Sequence, residues 1–310
     1  MIVTLTPNPS LDRTVEVESL VRGAVLRALG GRVDAGGKGV NVSRALAANG
    51  VPTRAVVPSG GAEGAQLVEL LTPLGIDVVT VKVGGAVRAN VSVIEPDGTV
   101  TKINEPGPVL GAAEITDLID STAAAADGAT WLAACGSLPP GAPVDLYARV
   151  AAAAHRESVR LVVDTSGSAL LAALDAQPDL IKPNREELAE AVDRPLHTLG
   201  EVVGAAEELR SRGARAVLAS LGADGAVFVG PEGAVHGDSR VDEPRSAVGA
   251  GDAMLAGFLA GGGGRDALAT ALAWGAAATS LPGSRMPRPA DLRPDTVRVF
   301  DSIDPDRPLH

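Results

Sequence analysis

Short runs of Val, Ile and Leu recur along this chain, each followed by a longer Ala- and Leu-rich stretch whose apolar residues fall at helical spacing. Strands are predicted at Ile2–Leu5, Ala55–Val57, Trp131–Ala134, Leu161–Asp164, Leu180–Lys182, Ala216–Ser220 and Ala226–Val229. Helices are predicted at Val40–Asn49, Ala65–Leu74, Ala113–Ala126, Val144–His155, Arg185–Val192, Glu201–Arg212, Ala250–Ala260 and Ala267–Thr279. Such alternation has few solutions, because a helix between two strands returns the chain to run parallel and covers a sheet face. The expectation is an α/β fold, with a mainly parallel central sheet and helices on both faces, as one domain over residues 1–310.

Two segments break the pattern. Arg13–Val21 and Val87–Ile103 alternate polar and apolar residues, and Pro96-Asp97-Gly98 supplies a turn within the second. They predict a small antiparallel sheet from discontinuous segments, 11–32 and 86–106, projecting from the main body. It could serve as a lid, a dimer surface or both, or be a plain hairpin. Gly261–Gly264 reads as a spacer between helices, and the Pro-, Arg- and Asp-rich stretch from Pro282 onward as a loosely packed tail.

Composition narrows the function. Hydrophobic residues make up 45% of the 310, enough for a large core, but aromatics are only 2%, which argues against base-stacking surfaces. A formal charge of −11 disfavours nucleic acid and anionic membrane as partners. Cys135 has no second cysteine to pair with, and His155, His197, His236 and His310 lack metal-ligand spacing. The N-terminal MIVTLTPNPS enters a strand directly, and no apolar run is long enough to span a bilayer, so the expected location is cytoplasmic.

Chemistry concentrates in the loops. In RSAVGAGDAMLAGF, Gly249, Ala250 and Gly251 precede Asp252 at the start of a helical pattern, a place where bare amides and the helix dipole attract anions. Asp252 is either a simple N-cap or a base beside an anion site. In DAGGKGVNVSRAL, Gly36, Gly37 and Gly39 allow close backbone approach, with Lys38 as a cation and Asn41 at the helix start. Val40 stands where a Walker loop needs Ser or Thr, and no G-x-G-x-x-G follows a strand. Asp12 follows the first strand, Cys135-Gly136-Ser137 the strand at Trp131, and Lys182 precedes an Asn184–Glu187 capping pattern. Cys135 itself reads as a small buried residue. A glycine turn at Ser220–Gly225 joins two further strands. These loops all follow predicted strands and so gather along one sheet edge.

Taken in order, AGGKGVN, RAN, GSLPPG, KPNREEL, SLGADGA and VGAGDAMLAGF resemble the PfkB (ribokinase-like) carbohydrate kinases, over the chain as far as about Pro282. Within that family TPNPSLDRT, VRANVSVIE and TKINEPGP are most similar to the 1-phosphofructokinases, which phosphorylate fructose 1-phosphate with ATP. Tagatose-6-phosphate kinases and type II 6-phosphofructokinases share nearly all of these motifs. The resemblance implies Asp252 as base, with the amides of Gly249, Ala250 and Gly251 as an anion hole. It implies Asp12, Gly37, Lys38, Asn41 and Ser137 on the sugar, joined by Arg88 and Asn90 from the lid. It implies Lys182, Asn184, Ser220, Gly222 and Gly225 on ATP, with Asn184 and Glu187 positioning Mg2+ and K+ as a further ion. It also implies a homodimer through the lid. Ala247 departs from the pattern, since the family often has Thr there. Bare amides next to Asp252 would keep it ionised and ready to accept a proton. The competing expectations are a non-catalytic sugar or nucleotide sensor, disfavoured by Asp252, and a nucleoside kinase, disfavoured by Lys38 and Arg88.

Overall fold

Strands covered by helices on both sides can be apolar throughout, and Trp131–Cys135, WLAAC, is buried at every position. In the computed structural model, which describes residues 1–156, 158–300 and 302–310, it is a central strand. The chain begins with β1 (Ile2–Leu5), then β2 (Ser10–Glu16), β3 (Gly30–Gly36), α1 (Lys38–Ala48), β4 (Thr53–Ser59), α2 (Gly61–Leu71) and β5 (Asp77–Lys82). β6 (Arg88–Ile94) and β7 (Val100–Asn104) lead to α3 (Ala112–Ala126), β8 (Trp131–Cys135), α4 (Leu146–Arg156), β9 (Arg160–Asp164), α5 (Gly167–Leu174) and β10 (Leu180–Ile181). After α6 (Arg185–Ala191) and α7 (Leu199–Ser211) come β11 (Val217–Ser220), β12 (Ala226–Gly230), β13 (Gly233–Ser239), α8 (Ala250–Ala260), α9 (Leu268–Thr279) and β14 (Val297–Phe300).

Ten strands form the main sheet, in the order β14-β13-β12-β11-β10-β9-β8-β1-β4-β5. From β5 to β11 the pairs are parallel; β12, β13 and β14 add antiparallel pairs, so the sheet is mixed. Side-chain alternation splits β8 between two cores. Leu132 and Ala134 face α3 to α7, whereas Trp131, Ala133 and Cys135 face α1, α8 and α9. Cys135 is fully buried.

The second sheet has the order β3-β2-β6-β7. Its outer pairs are antiparallel and its central pair, β2 with β6, is parallel. The turn at Pro96-Asp97-Gly98 joins β6 to β7, with Gly98 N donating to Glu95 O at 2.9 Å. Leu11 and Ala35, near its base, are buried against Val40 of α1 and Leu67 and Leu71 of α2.

The stretch after Pro282 is not loose. Met286 is buried, β14 extends the main sheet, and residues 305–309 pair with the start of α7. The loop before Asp252 is a second difference: it spans ten residues from the end of β13 rather than following a strand directly.

Candidate active site

Parallel strands present their carboxyl ends on one edge, where open α/β sheets bind ligands. Loops after β1, β8 and β9 meet there with the N-termini of α1 and α8. Between them lies a cavity of 280 Å³ lined by Asp12, Gly37, Lys38, Asn41, Arg88, Asn90, Ser137, Gly249 and Asp252. Asn8, Ser10, Gly136, Thr165, Ser166 and Val248 complete the wall. A larger groove of 440 Å³ shares Arg88 with this cavity and is bounded by Arg13, Glu63 and Glu105, but Asp252, Lys38 and Asn41 do not line it.

Asp252 is not the N-cap of α8. That position belongs to Gly249, whose φ of 77° puts it in the left-handed region and turns the chain sharply into the helix. No side chain caps the helix; Ala250 N donates to Ala247 O at 3.3 Å, while among the described residues Gly249 N and Gly251 N meet no acceptor and keep their capacity for an anion. Asp252, two residues inside the helix, is 8% exposed, and its Oδ2 accepts from Asn41 Nδ2 at 2.9 Å. The Asn41 amide is oriented in turn by Arg44, whose Nη1 donates to Asn41 Oδ1 at 3.0 Å and to Ala35 O at 2.9 Å. With its oxygen committed to a cation, Asn41 can only offer its NH2 to Asp252.

Behind this pair is Asp164, a buried carboxylate at the end of β9 that sequence reasoning did not select. Lys38 Nζ donates to its Oδ1 at 2.7 Å, and Lys182 Nζ is 3.2 Å from its Oδ2. Lys38 also reaches Glu187 Oε1 at 3.1 Å. Burial favours the neutral form of Asp164, yet Lys182 and Lys38 hold it below the usual carboxylate range. Burial alone would lower the Lys38 pKa; Asp164 and Glu187 outweigh it and raise the pKa. Asp252 goes the other way. Burial first, then repulsion from Asp164, raise it to about 6, against the Asn41 hydrogen bond and the two lysines. It is therefore less acidic than its neighbouring amides led us to expect, though still mostly ionised at neutral pH.

The four-stranded sheet supplies the opposite wall. Arg88 Nη2 donates to Asn8 O at 3.0 Å and Nη1 to Glu105 O at 3.1 Å. Asp12 Oδ1 accepts from Ser10 Oγ at 2.7 Å and Asn90 Nδ2 at 3.0 Å. Asn8 Oδ1, Asn90 Oδ1 and Arg88 Nε are buried without hydrogen-bond partners. Unsatisfied polar atoms on cavity-lining residues suit a ligand rich in hydroxyl groups.

Ala250, Gly251, Lys182, Asn184, Glu187, Ser220, Gly222 and Gly225 lie outside that cavity wall. They are near neighbours along the same edge. Asn184 caps α6, accepting from Glu187 N at 2.7 Å while Glu187 Oε2 accepts from Asn184 N at 2.9 Å, and a β-bridge joins Asn184 to Ser220. Both Glu187 oxygens are thus engaged. Among the described residues no group of three or more His, Cys, Asp or Glu side chains could hold a metal ion. The set fits Mg2+ all the same, which keeps much of its water and takes oxygens from bound phosphates instead of an all-protein cage. Asn184 and Glu187 would support it from outside, and the unpartnered amides of Gly249 and Gly251 suit the phosphates of ATP.

The chain also matches known proteins over most of its length. Residues 7–291 match the pfkB family carbohydrate kinase profile. The chain is 40% identical to the 1-phosphofructokinase of Rhodobacter capsulatus over 83% of its own length and 82% of that protein's. It is 36% identical to the ATP-dependent 6-phosphofructokinase isozyme 2 of Escherichia coli K12, over 82% of this chain and 83% of the other. The crystal structure of phosphofructokinase-2 from Escherichia coli in complex with potassium is similar at a TM-score of 0.88 and 35% identity, covering 94% of this chain and 96% of that one. By that profile match and by these relatives, the chain belongs to the pfkB family of carbohydrate kinases and is an ATP- and Mg2+-dependent enzyme.

Proposed function

We propose that this kinase moves the terminal phosphoryl group of ATP onto the free primary hydroxyl of a fructose monophosphate, giving fructose 1,6-bisphosphate and ADP. The carrying observation is that Asp252 faces a cavity whose other walls hold Lys38 and Arg88. At 280 Å³ that space suits a monosaccharide-sized ligand, and the two cations suit one that arrives already phosphorylated.

Asp252 takes the proton of the sugar hydroxyl; the alkoxide oxygen bonds to the terminal phosphorus as the bond from that phosphorus to the ADP oxygen breaks. The amides of Gly249, Ala250 and Gly251 stabilise charge on the phosphoryl oxygens, a role needing fixed donors and little motion. Asp12, Asn90, Gly37, Asn41 and Ser137 orient the sugar, and Lys38 and Arg88 meet its phosphate. Lys182, Asn184, Ser220, Gly222 and Gly225 hold the nucleotide, beside which Mg2+, supported by Asn184 and Glu187, would neutralise phosphate charge.

Fructose 1-phosphate is the first reading, supported by the Rhodobacter relative and by the TPNPSLDRT, VRANVSVIE and TKINEPGP segments. Fructose 6-phosphate is the second, supported by both Escherichia coli comparisons. An ADP-coupled assay with fructose 1-phosphate, fructose 6-phosphate, tagatose 6-phosphate and fructose, run in K+ and in Na+, decides between them. The highest kcat/KM on fructose 1-phosphate supports the first reading and on fructose 6-phosphate the second. Turnover of fructose alone overturns both.

The same reading makes this chain a homodimer through its lid. Strand register puts Val15, Val91, Val93 and Ile103 on the sheet face opposite Asp12 and Asn90, and Ile103 is 60% exposed. An apolar face turned away from the cleft is suited to a second copy.

A further inference from the structure

The last residues of the chain lie against both loops assigned above to the nucleotide. Leu199 N donates to Arg307 O at 3.0 Å and Gly200 N to Pro305 O at 2.9 Å, while Leu309 N donates to His197 O at 2.8 Å. Together with the Thr198–Pro308 bridge, these bonds lay the segment along the start of α7. Ile303 and Leu309 pack against the larger core. The backbone is therefore held in place before its tip makes any polar contact.

That tip closes on Asp224. Its carboxylate is 3% exposed and belongs to the turn Gly222–Asp224, inside the Ser220–Gly225 loop. His310 N donates to Asp224 Oδ2 at 2.7 Å. The Arg307 guanidinium is 4.0 Å from Asp224 Oδ1 and 3.6 Å from Asp238 Oδ2 on β13. A buried carboxylate requires partners, and here the partners come from the C-terminal segment. Arg185, the residue after Asn184, donates from Nη1 to His310 O at 3.1 Å. One segment thus joins the glycine turn to the start of α6. None of its residues lines the sugar-side cavity.

We propose that residues 305–310, with Arg307 as the principal side chain, are positioning elements for ATP: they fix the Ser220–Gly225 loop relative to Asn184 at the start of α6. The inference rests on the reading that these loops receive the nucleotide. Its signature is an effect on one substrate only. A loosened loop loses ground-state affinity for ATP, whereas the sugar wall and Asp252, which the segment does not touch, are unchanged.

The test is steady-state kinetics of full-length Arg307→Ala, Arg307→Lys and Gly222→Val, with melting temperatures measured alongside. Arg307→Ala is expected to raise KM for ATP about two- to fivefold, the scale of a partly exposed ion pair at 4.0 Å, with kcat and sugar KM unchanged. Arg307→Lys should recover most of that loss. Equal rises in both KM values, or a fall in kcat alone, overturn the proposal. So does an unchanged ATP KM in Arg307→Ala while Gly222→Val raises it. If Gly222→Val also leaves the ATP KM unchanged, the loop assignment fails and this inference with it. Should Arg307→Ala not fold, Arg307→Gln, which keeps the stem, is read in its place.

Discussion

Removing the charge of Asp252 while keeping its shape separates chemistry from binding. Asp252→Asn still accepts a hydrogen bond from Asn41 but cannot take the proton of an alcohol, so turnover should fall by roughly 10²- to 10⁴-fold. ATP affinity, measured by calorimetry, should be nearly unchanged; near-normal turnover would rule out Asp252 as the base. The same carboxylate sets a pH limit. Its pKa is raised to about 6, by burial first and Asp164 second, and only the ionised form accepts a proton. Activity should therefore be lost as pH falls through about 6 and level off above it. Asp164→Asn removes the like charge and should move that acid limb to lower pH, read from kcat/KM profiles of the two proteins. A limb that stays in place would mean burial alone sets it. Lys38, Asn41 and Asp252 were legible in the sequence because glycines and a helix start frame them. Asp164 was not, since RLVVD reads as the end of an apolar strand and the lysine on its Oδ1 lies 126 residues away. Nor was Arg44, whose part depends on the direction of the Asn41 amide.

At the scale of elements, the site depends on how α8 is held, because this helix carries both Asp252 and the amides of its first turn. It packs against α9 at a point with no room for a side chain: a Cβ on Gly257 would meet Thr270 O and Trp274 Cγ, each at 2.8 Å. Gly257→Leu should push the two helices apart, cost about 1–3 kcal/mol of stability and lower turnover by displacing Asp252, with Gly257→Ala a milder form. Denaturant melts and kcat measured together check it, and a stable, fully active Gly257→Leu would mean the helices separate without moving the base. Central strands such as β8 and β9 were legible because burial on both faces makes them continuously apolar. β5 and β14 are the two edges, and DVVTVK and VRVF are mostly open to solvent, so their patterns are weak. β13, GAVHGDS, is a strand because β12 and β14 pair with it, and its glycines, His236 and Asp238 suggest nothing of the kind. The helix α5, GSALLAAL, is short and apolar nearly all round, which left it no amphipathic signature.

Across the whole molecule, the lid is joined to the body at its base and exposed above. Leu11 and Ala35 are buried against α1 and α2, whereas Ile103 at 60% exposure and Leu29 at 70% are left to solvent. A four-stranded sheet with one apolar face uncovered is a poor match for water, and a second copy of the same face would cover it with two-fold symmetry. Because the opposite face carries Asp12 and Asn90, pairing of two lids would also steady the wall that holds the sugar. This predicts that the protein elutes at twice its chain mass of 31.1 kDa in light-scattering chromatography at micromolar concentration. Val93→Asp with Ile103→Asp should bring it to single-chain mass, since two facing carboxylates on a buried patch repel and desolvate at once. The monomer should then show a raised KM for the sugar and an unchanged KM for ATP. A wild-type protein that is monomeric at that concentration would refute the lid as the dimer surface, and a monomeric variant with normal sugar KM would confine the lid's second face to assembly alone.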